Sequence, residues 1–368
     1  MTPERILVYL LMLSVLVVLH EYGHFLLARL NKVRVTDFAV GFGPTLLKWT
    51  SKRSGTNYRF NALPLGGYCQ MKGEDGKTSE AEQQREFRSG AAHEYDPDNF
   101  QAKTPLQRLA IVVAGPIANF IVALVLFIGA ALAFGIPGEK PTTMIYQLLP
   151  GFPAAKAGMQ VGDRIVSVNG HTVSDGNALV DTIHSSLGKE LRVDYVRDGR
   201  LHTVVVTPVP SPNDKKIGLL GFQPLPATHR VGVGDAWSWS WSQFTGVIGS
   251  TLGALGALVS HPQTVAGQFQ GPIGIARVSA QAQQFGPYIF LSLAGMISIS
   301  LGIFNLLPIP ALDGGRAAFI LVEMLRGKPV DPEKEALVHV GGFAVLIALM
   351  IAVSFHDVTA AMSGRAAF

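Results

Sequence analysis

The sequence predicts a multi-pass α-helical membrane protein with four spans, membrane-associated β elements and an extracytoplasmic β-rich domain. Three observations predict it. Charged residues make up only 15% of the 368 and hydrophobic residues 48%, where a soluble domain carries about 25% charge. Four runs are long and oily enough to cross roughly 30 Å of hydrocarbon. Between the second and third run lies a long polar section whose short alternating stretches read as strands. The net charge of +4 comes without a Lys/Arg run, which excludes a nucleic-acid patch. The single cysteine, Cys69, excludes an intrachain disulfide and a cysteine-rich zinc site.

Residues 5–29 form the first span. Arg5 and the apolar run after it resemble a signal peptide, but His20, Glu21 and His24 stand where small residues would precede cleavage, so a retained helix is expected. Residues 31–70 are short runs rich in Val, Phe and Tyr, broken by Gly and Pro, and read as strands and turns. Residues 72–104 are polar and read as a loop with short helical pieces. The second span runs from Pro105 to Gly135, interrupted by Gly115, Pro116 and Asn119. Residues 145–208 read as a compact β-rich module, with Asn169-Gly170 and Asp198-Gly199 as turn signals. Residues 209–234 are Pro/Gly-rich and read as a linker. Residues 235–259, with Trp237, Trp239 and Trp241, read as an interfacial helix. The third span occupies Gly286–Arg316 and breaks at Pro308 and Pro310, and the fourth occupies Glu335–Val358. The expected divisions are therefore 1–136, a membrane core; 145–208, the β-rich domain; 209–285, an extracytoplasmic linker with its interfacial helix; and 286–358, a second membrane core.

Charge sets the expected orientation. Residues 29–104 hold twelve Lys/Arg, and the short loop 323–335 adds Arg326, Lys328 and Lys334. The positive-inside rule places both loops in the cytoplasm and the β-rich module outside. Four spans satisfy both placements. The ends of the first and third spans then share the cytoplasmic side.

"HEYGH", residues 20–24, fits H-E-x-x-H. On a helix, residues four apart share a face, so His20 and His24 can reach one metal ion. Zinc takes imidazole and carboxylate ligands and keeps an open position for water in catalytic sites. Glu21 is placed to accept the proton of that zinc-bound water. Ionisable groups inside a span are costly and are kept for function. Zinc needs a third protein ligand. Asp313, in "NLLPIPALDGG" at the end of the third span, is the best candidate, at matching depth; His339 and His356 are its rivals.

These motifs together resemble the site-2 protease family of intramembrane zinc metalloproteases, especially its bacterial regulated-proteolysis branch with a PDZ domain. "GFGP" at 41–44, "FNALPLGGY" at 60–68 and "GPIANF" at 115–120 follow in the family's order. The resemblance implies one zinc per chain on His20, His24 and Asp313, with Glu21 as catalytic base. It implies that Asn305 positions substrate or steadies the intermediate, and that Asn119 lines the active-site region. It implies that residues 58–69, with Gly66 and Gly67, pair with an unwound substrate. It also implies that 145–208 is a PDZ domain whose groove takes an extended peptide or C-terminus, or else acts as a size filter.

The expected substrates are single-pass membrane proteins, pre-trimmed by another protease, of the anti-sigma-factor or signal-peptide-remnant type. The expected location is the bacterial inner membrane, among lipid and without nucleic acid. The competing readings are a transporter or channel, and a catalytically inactive scaffold that holds clients through its PDZ groove.

Overall fold

A computed structural model describes residues 2–74, 96–212, 214–261, 271–328 and 330–362. The chain divides into two compact units. One comprises Met1–Phe127, Trp241–Ser279 and Ser292–Phe368; the other comprises Ile128–Ser240 and Ala280–Leu291. In chain order the main elements begin with α1 (Pro3–Leu30), β1 (Val35–Thr50), β2 (Asn57–Met71), α2 (Pro105–Phe134), β3 (Ile136–Leu148), β4 (Arg164–Val168) and α3 (Gly176–His184). They continue with β5 (Leu191–Arg197), β6 (Arg200–Val206), β7 (Phe222–His229), α4 (Val233–Ser260), α5 (Pro272–Ala282), α6 (Pro287–Leu306), α7 (Asp313–Arg326) and α8 (Pro332–Met362).

Among the described residues, four helices are long and apolar enough to cross a membrane: α1, α2, α6 and, over Lys334–Phe355, α8. These are the four runs expected from the sequence. Most of the polar stretch 72–104 lies outside the described residues.

The first unit is built around α1, α2 and the β1–β2 hairpin. The hairpin folds back on itself. Residues 35–40 pair with 67–71 on one side and with 57–60 on the other, and 57–61 pair in turn with 45–50. The resulting order of segments is 45–50, 57–61, 35–40, 67–71. Gly41, Gly43 and Gly66 take positive φ at the bends, which a residue with a Cβ adopts only under strain. Ala28, Val33, Val35, Cys69, Met71, Phe100, Ile111, Val112, Ala317 and Ile320 form the buried cluster that joins α1, the hairpin, α2 and α7.

The expected third span, Gly286–Arg316, is two helices and a turn. α6 ends at Leu306, and α7 starts afresh at Asp313. Pro308 and Pro310 lack the N–H that would continue the ladder.

The stretch 235–259, expected as an interfacial helix, is helical and is not among the helices apolar enough to span. It is the body of α4, whose Phe244, Val247, Ile248 and Leu255 pack on Ala123 and Phe127 of α2 and Ile299 and Ile303 of α6. That i, i+3, i+4, i+11 spacing is one helical face.

The second unit is a twisted antiparallel sheet of order β7–β3–β4–β5–β6, with His171–Thr172 paired to β4. Ile145, Met159, Ile165, Val168, Leu179, Ile183, Leu191, Val193, Tyr195, Val206 and Leu220 form its core. Both expected tight turns are present: Asn169 and Gly170 have φ +53° and +79°, and Asp198 and Gly199 have +49° and +77°. The Asp175 carboxylate caps α3 by accepting the Ala178 N–H at 2.9 Å. Asp163, 1% exposed, holds Arg197 through two nitrogens at 2.7 Å.

The expected boundaries 145 and 208 are too narrow for this fold. β3 begins at Ile136, and β7, inside the supposed linker 209–234, pairs with it from Phe222↔Leu148 to His229↔Ile136. Pro224 and Pro226 read as strand breakers, but β7 is the edge of the sheet, where a missing N–H costs no ladder bond.

Candidate metal and catalytic centre

The site begins with a close approach of α1 and α2. A Cβ on Gly23 would lie 2.4 Å from the Ala114 carbonyl oxygen, and one on Gly115 would lie 2.2 Å from His24 Nε2 and 2.7 Å from His20 Nε2. Glycine at both positions lets the imidazoles sit against the α2 backbone. His20 and His24 are each 7% exposed.

The loop after α6 brings Asp313 to the same point. Its Oδ2 lies 3.1 Å from His20 Nε2 and 3.3 Å from His24 Nε2. The two imidazole nitrogens are 3.2 Å apart. The Oδ2 is buried, and its geometry to either nitrogen is not that of a hydrogen bond. Three donor atoms converging with an unsatisfied carboxylate oxygen among them are suited to a cation. A tetrahedral ion with bonds of roughly 2 Å holds its ligands roughly 3.3 Å apart, as zinc does. The residues therefore fit the metal that the sequence predicts.

The outer nitrogens of both imidazoles are tied down. His24 Nδ1 lies 2.9 Å from the Ile111 carbonyl oxygen, which requires Nδ1–H and leaves the Nε2 lone pair free. His20 Nδ1 lies 3.1 Å from the Asn119 amide nitrogen, while Asn119 Oδ1 is buried without a partner. Amide nitrogen and oxygen are interchangeable by rotation. Turned over, Oδ1 accepts His20 Nδ1–H, which satisfies both groups and frees the Nε2 lone pair toward the ion. Asn119 thus stands behind His20.

Glu21 Oε2 accepts the backbone N–H of Cys69 at 2.9 Å. Glu21, His24 and Asp313 line one cavity of about 420 Å3 with Cys69, Glu74, Arg316 and His339. Cys69 lies in the edge segment 67–71 of the hairpin. The segment 57–61, also expected to hold substrate, is flanked by strands on both sides. Gly67 sits at the start of the edge segment, where a Cβ would lie 2.5 Å from the Ala39 carbonyl oxygen. Gly66, at φ +88°, forms the bend before it. Neither glycine lines the cavity, nor does Asn305, which is half-buried on the last turn of α6.

His339, the rival ligand, lies outside the cluster; its Nδ1 accepts the Ala311 N–H at 2.8 Å. The side chain of His356 falls outside the described residues. Two contacts had no signal in the sequence. One is the Cys69 N–H, which is backbone. The other is the Arg316–Glu74 ion pair on the cavity wall, whose partners stand 242 residues apart.

The family described as peptidase family M50 matches residues 8–349. The zinc metalloprotease RasP of Geobacillus kaustophilus is 32% identical, across 97% of this chain and 98% of its own. The regulator of sigma-W protease RasP of Bacillus subtilis is 31% identical, across 97% and 99%. A PDZ domain of an SdrC-like protein from Listeria monocytogenes aligns with 24% of this chain and 93% of its own, at 15% identity and a TM-score of 0.21, a score that assigns no fold. With four apolar helices long enough to span, a donor set that fits zinc and a family match over nearly its whole length, the chain belongs to peptidase family M50, the site-2 proteases, and is a membrane zinc metalloendopeptidase.

Proposed function

We propose that the enzyme hydrolyses peptide bonds inside the transmembrane segments of single-pass membrane proteins, with His20, His24 and Asp313 as zinc ligands and Glu21 as general base. The observation that carries this is the convergence of the three donors within 4.8 Å of one another, two of them on a helix long enough to span a membrane. Zinc, when bound, supplies Lewis acidity to water and to the scissile carbonyl. Glu21 takes the proton of the attacking water and passes it to the departing amine. The Cys69 N–H fixes one carboxylate oxygen, which leaves the other for proton transfer.

A helical substrate hides its carbonyls in its own hydrogen bonds and must be opened before hydrolysis. The edge segment 67–71, at the carboxylate that acts on the water, is the place for an extended substrate strand to add. Gly66 and Gly67 bend the chain into that edge. Asn305, in the run that leads to Asp313, is assigned to steadying the substrate.

The name of the Bacillus subtilis relative ties it to sigma-W regulation. Substrates of the anti-sigma-factor type, trimmed first on the outside, are our reading for this chain, with signal-peptide remnants as a second type. The β-rich unit, from β3 to β7, is read as the PDZ domain that screens them. Our reading places the chain in the inner membrane, and the Lys/Arg bias supports that domain lying outside. The test is incubation of the purified full-length protein with tagged transmembrane peptides, with and without a zinc chelator. Cleavage within the apolar segment, lost with chelator and restored by zinc, is the expected result.

A further inference from the structure

His339 is half-buried beside the site and lies outside the donor cluster. It sits on α8, and its Nδ1 accepts the backbone N–H of Ala311. Ala311 holds φ +77° without being glycine, a conformation that persists only where the surroundings impose it. One helical turn beyond His339, a Cβ on Gly342 would lie 2.4 Å from Pro310 Cβ. Phe319 of α7 lies against the imidazole, with ring centres 5.7 Å apart. α8 therefore grips Pro310 and Ala311, the third and second residues before Asp313.

The two histidine donors are preset by one helix. Asp313 has no such scaffold: it is the first residue of α7 and follows the extended Leu312, at φ −102° and ψ 163°. The torsions of Ala311 aim everything after it. A rotation there swings Oδ2 away from the imidazoles while leaving α7 intact.

We propose that His339 is a positioning residue: it clamps the left-handed turn at Ala311 and thereby holds Asp313 Oδ2 against His20 and His24. This rests on Asp313 being a zinc ligand. The neutral imidazole serves because Nδ1 must accept. The proton then resides on Nε2, which faces Glu335 Oε1 at 3.8 Å.

The test compares His339→Asn with His339→Leu in purified full-length enzyme. The two residues have nearly the same shape and leave the same gap, but only Asn presents an acceptor where Nδ1 stood. Zinc affinity is read by competition with a fluorescent chelator, and cleavage of a transmembrane peptide gives kcat and KM. His339→Leu is expected to weaken zinc binding about 10–100-fold, as loss of an outer-shell partner does, and to lower kcat with KM within twofold. His339→Asn is expected to recover zinc affinity to within threefold of wild type.

Equal zinc affinity in the Leu variant and wild type, or equal loss in both variants, overturns the clamp. Asp313→Ala, measured alongside, separates the clamp from its premise: unchanged zinc there removes Asp313 as a ligand. Hydrogen exchange on the wild-type enzyme needs no variant to fold. The Ala311 amide is expected to be protected, and rapid exchange contradicts the bond.

Discussion

The backbone N–H of Cys69 donates to Oε2 of Glu21 at 2.9 Å across 48 residues of chain. That bond joins the two halves of the chemistry. The carboxylate proposed to activate water and the strand edge proposed to take an extended substrate are held in one register.

Gly115→Ala should abolish the metal site. A Cβ there would stand 2.2 Å from His24 Nε2 and 2.7 Å from His20 Nε2, with both rings held by outer-shell bonds. Purified variant should retain less than a tenth of the wild-type zinc by elemental analysis. Gly129→Ala is the control. It lies on the same helix with nothing within 4 Å of the added carbon, and its zinc should equal wild type. Stoichiometric zinc in the Gly115 variant would mean that α1 and α2 are not this close.

Asn119→Leu should weaken zinc binding about 10–100-fold, because it removes the acceptor that fixes the His20 tautomer. Asn119→Asp should keep most of the affinity, since a carboxylate accepts Nδ1–H equally well. A competition assay with a chelator distinguishes the two. If Leu and Asp behave alike, the amide orientation deduced above is wrong.

Much of this centre was legible in the sequence, for identifiable reasons. His20, Glu21 and His24 announce themselves because charge inside a span demands an explanation, and their spacing supplies it. Asp313 followed from depth. Asn119 was expected to line the active site, and only the packing of α1 on α2 puts it behind His20, since nothing in "GPIANF" says which imidazole a buried amide meets. Cys69 acts through its backbone and Glu74 through an arginine far along the chain, so neither leaves a local pattern. The hairpin was expected as strands, but its folding back is set by turns at Gly41, Gly43 and Gly66 that do not reveal which segment ends at the edge. β7 was missed because proline argues against a strand everywhere except at a sheet edge, and edge position is a tertiary fact.

The orientation can be read with single cysteines in a Cys69→Ser background. Lys52→Cys and Arg200→Cys are both at exposed positions. In intact cells an impermeant thiol reagent should label position 200 and leave position 52 untouched until the cells are opened. Labelling of both from outside, or of position 52 alone, would reverse the proposed sidedness and separate the substrate screen from the outer face.

The most direct test is Glu21→Gln. Glutamine keeps the size and can still accept the Cys69 N–H, but it cannot take a proton from water. A positioned proton acceptor contributes typically 10²–10⁴ in rate. The variant should hold zinc at the wild-type ratio, bind a tagged transmembrane peptide, and cleave it at least about a hundredfold more slowly. Zinc content and cleavage are measured on the same purified sample. Full zinc with cleavage lost is the predicted result; full zinc with cleavage within threefold of wild type would show that Glu21 is not the base.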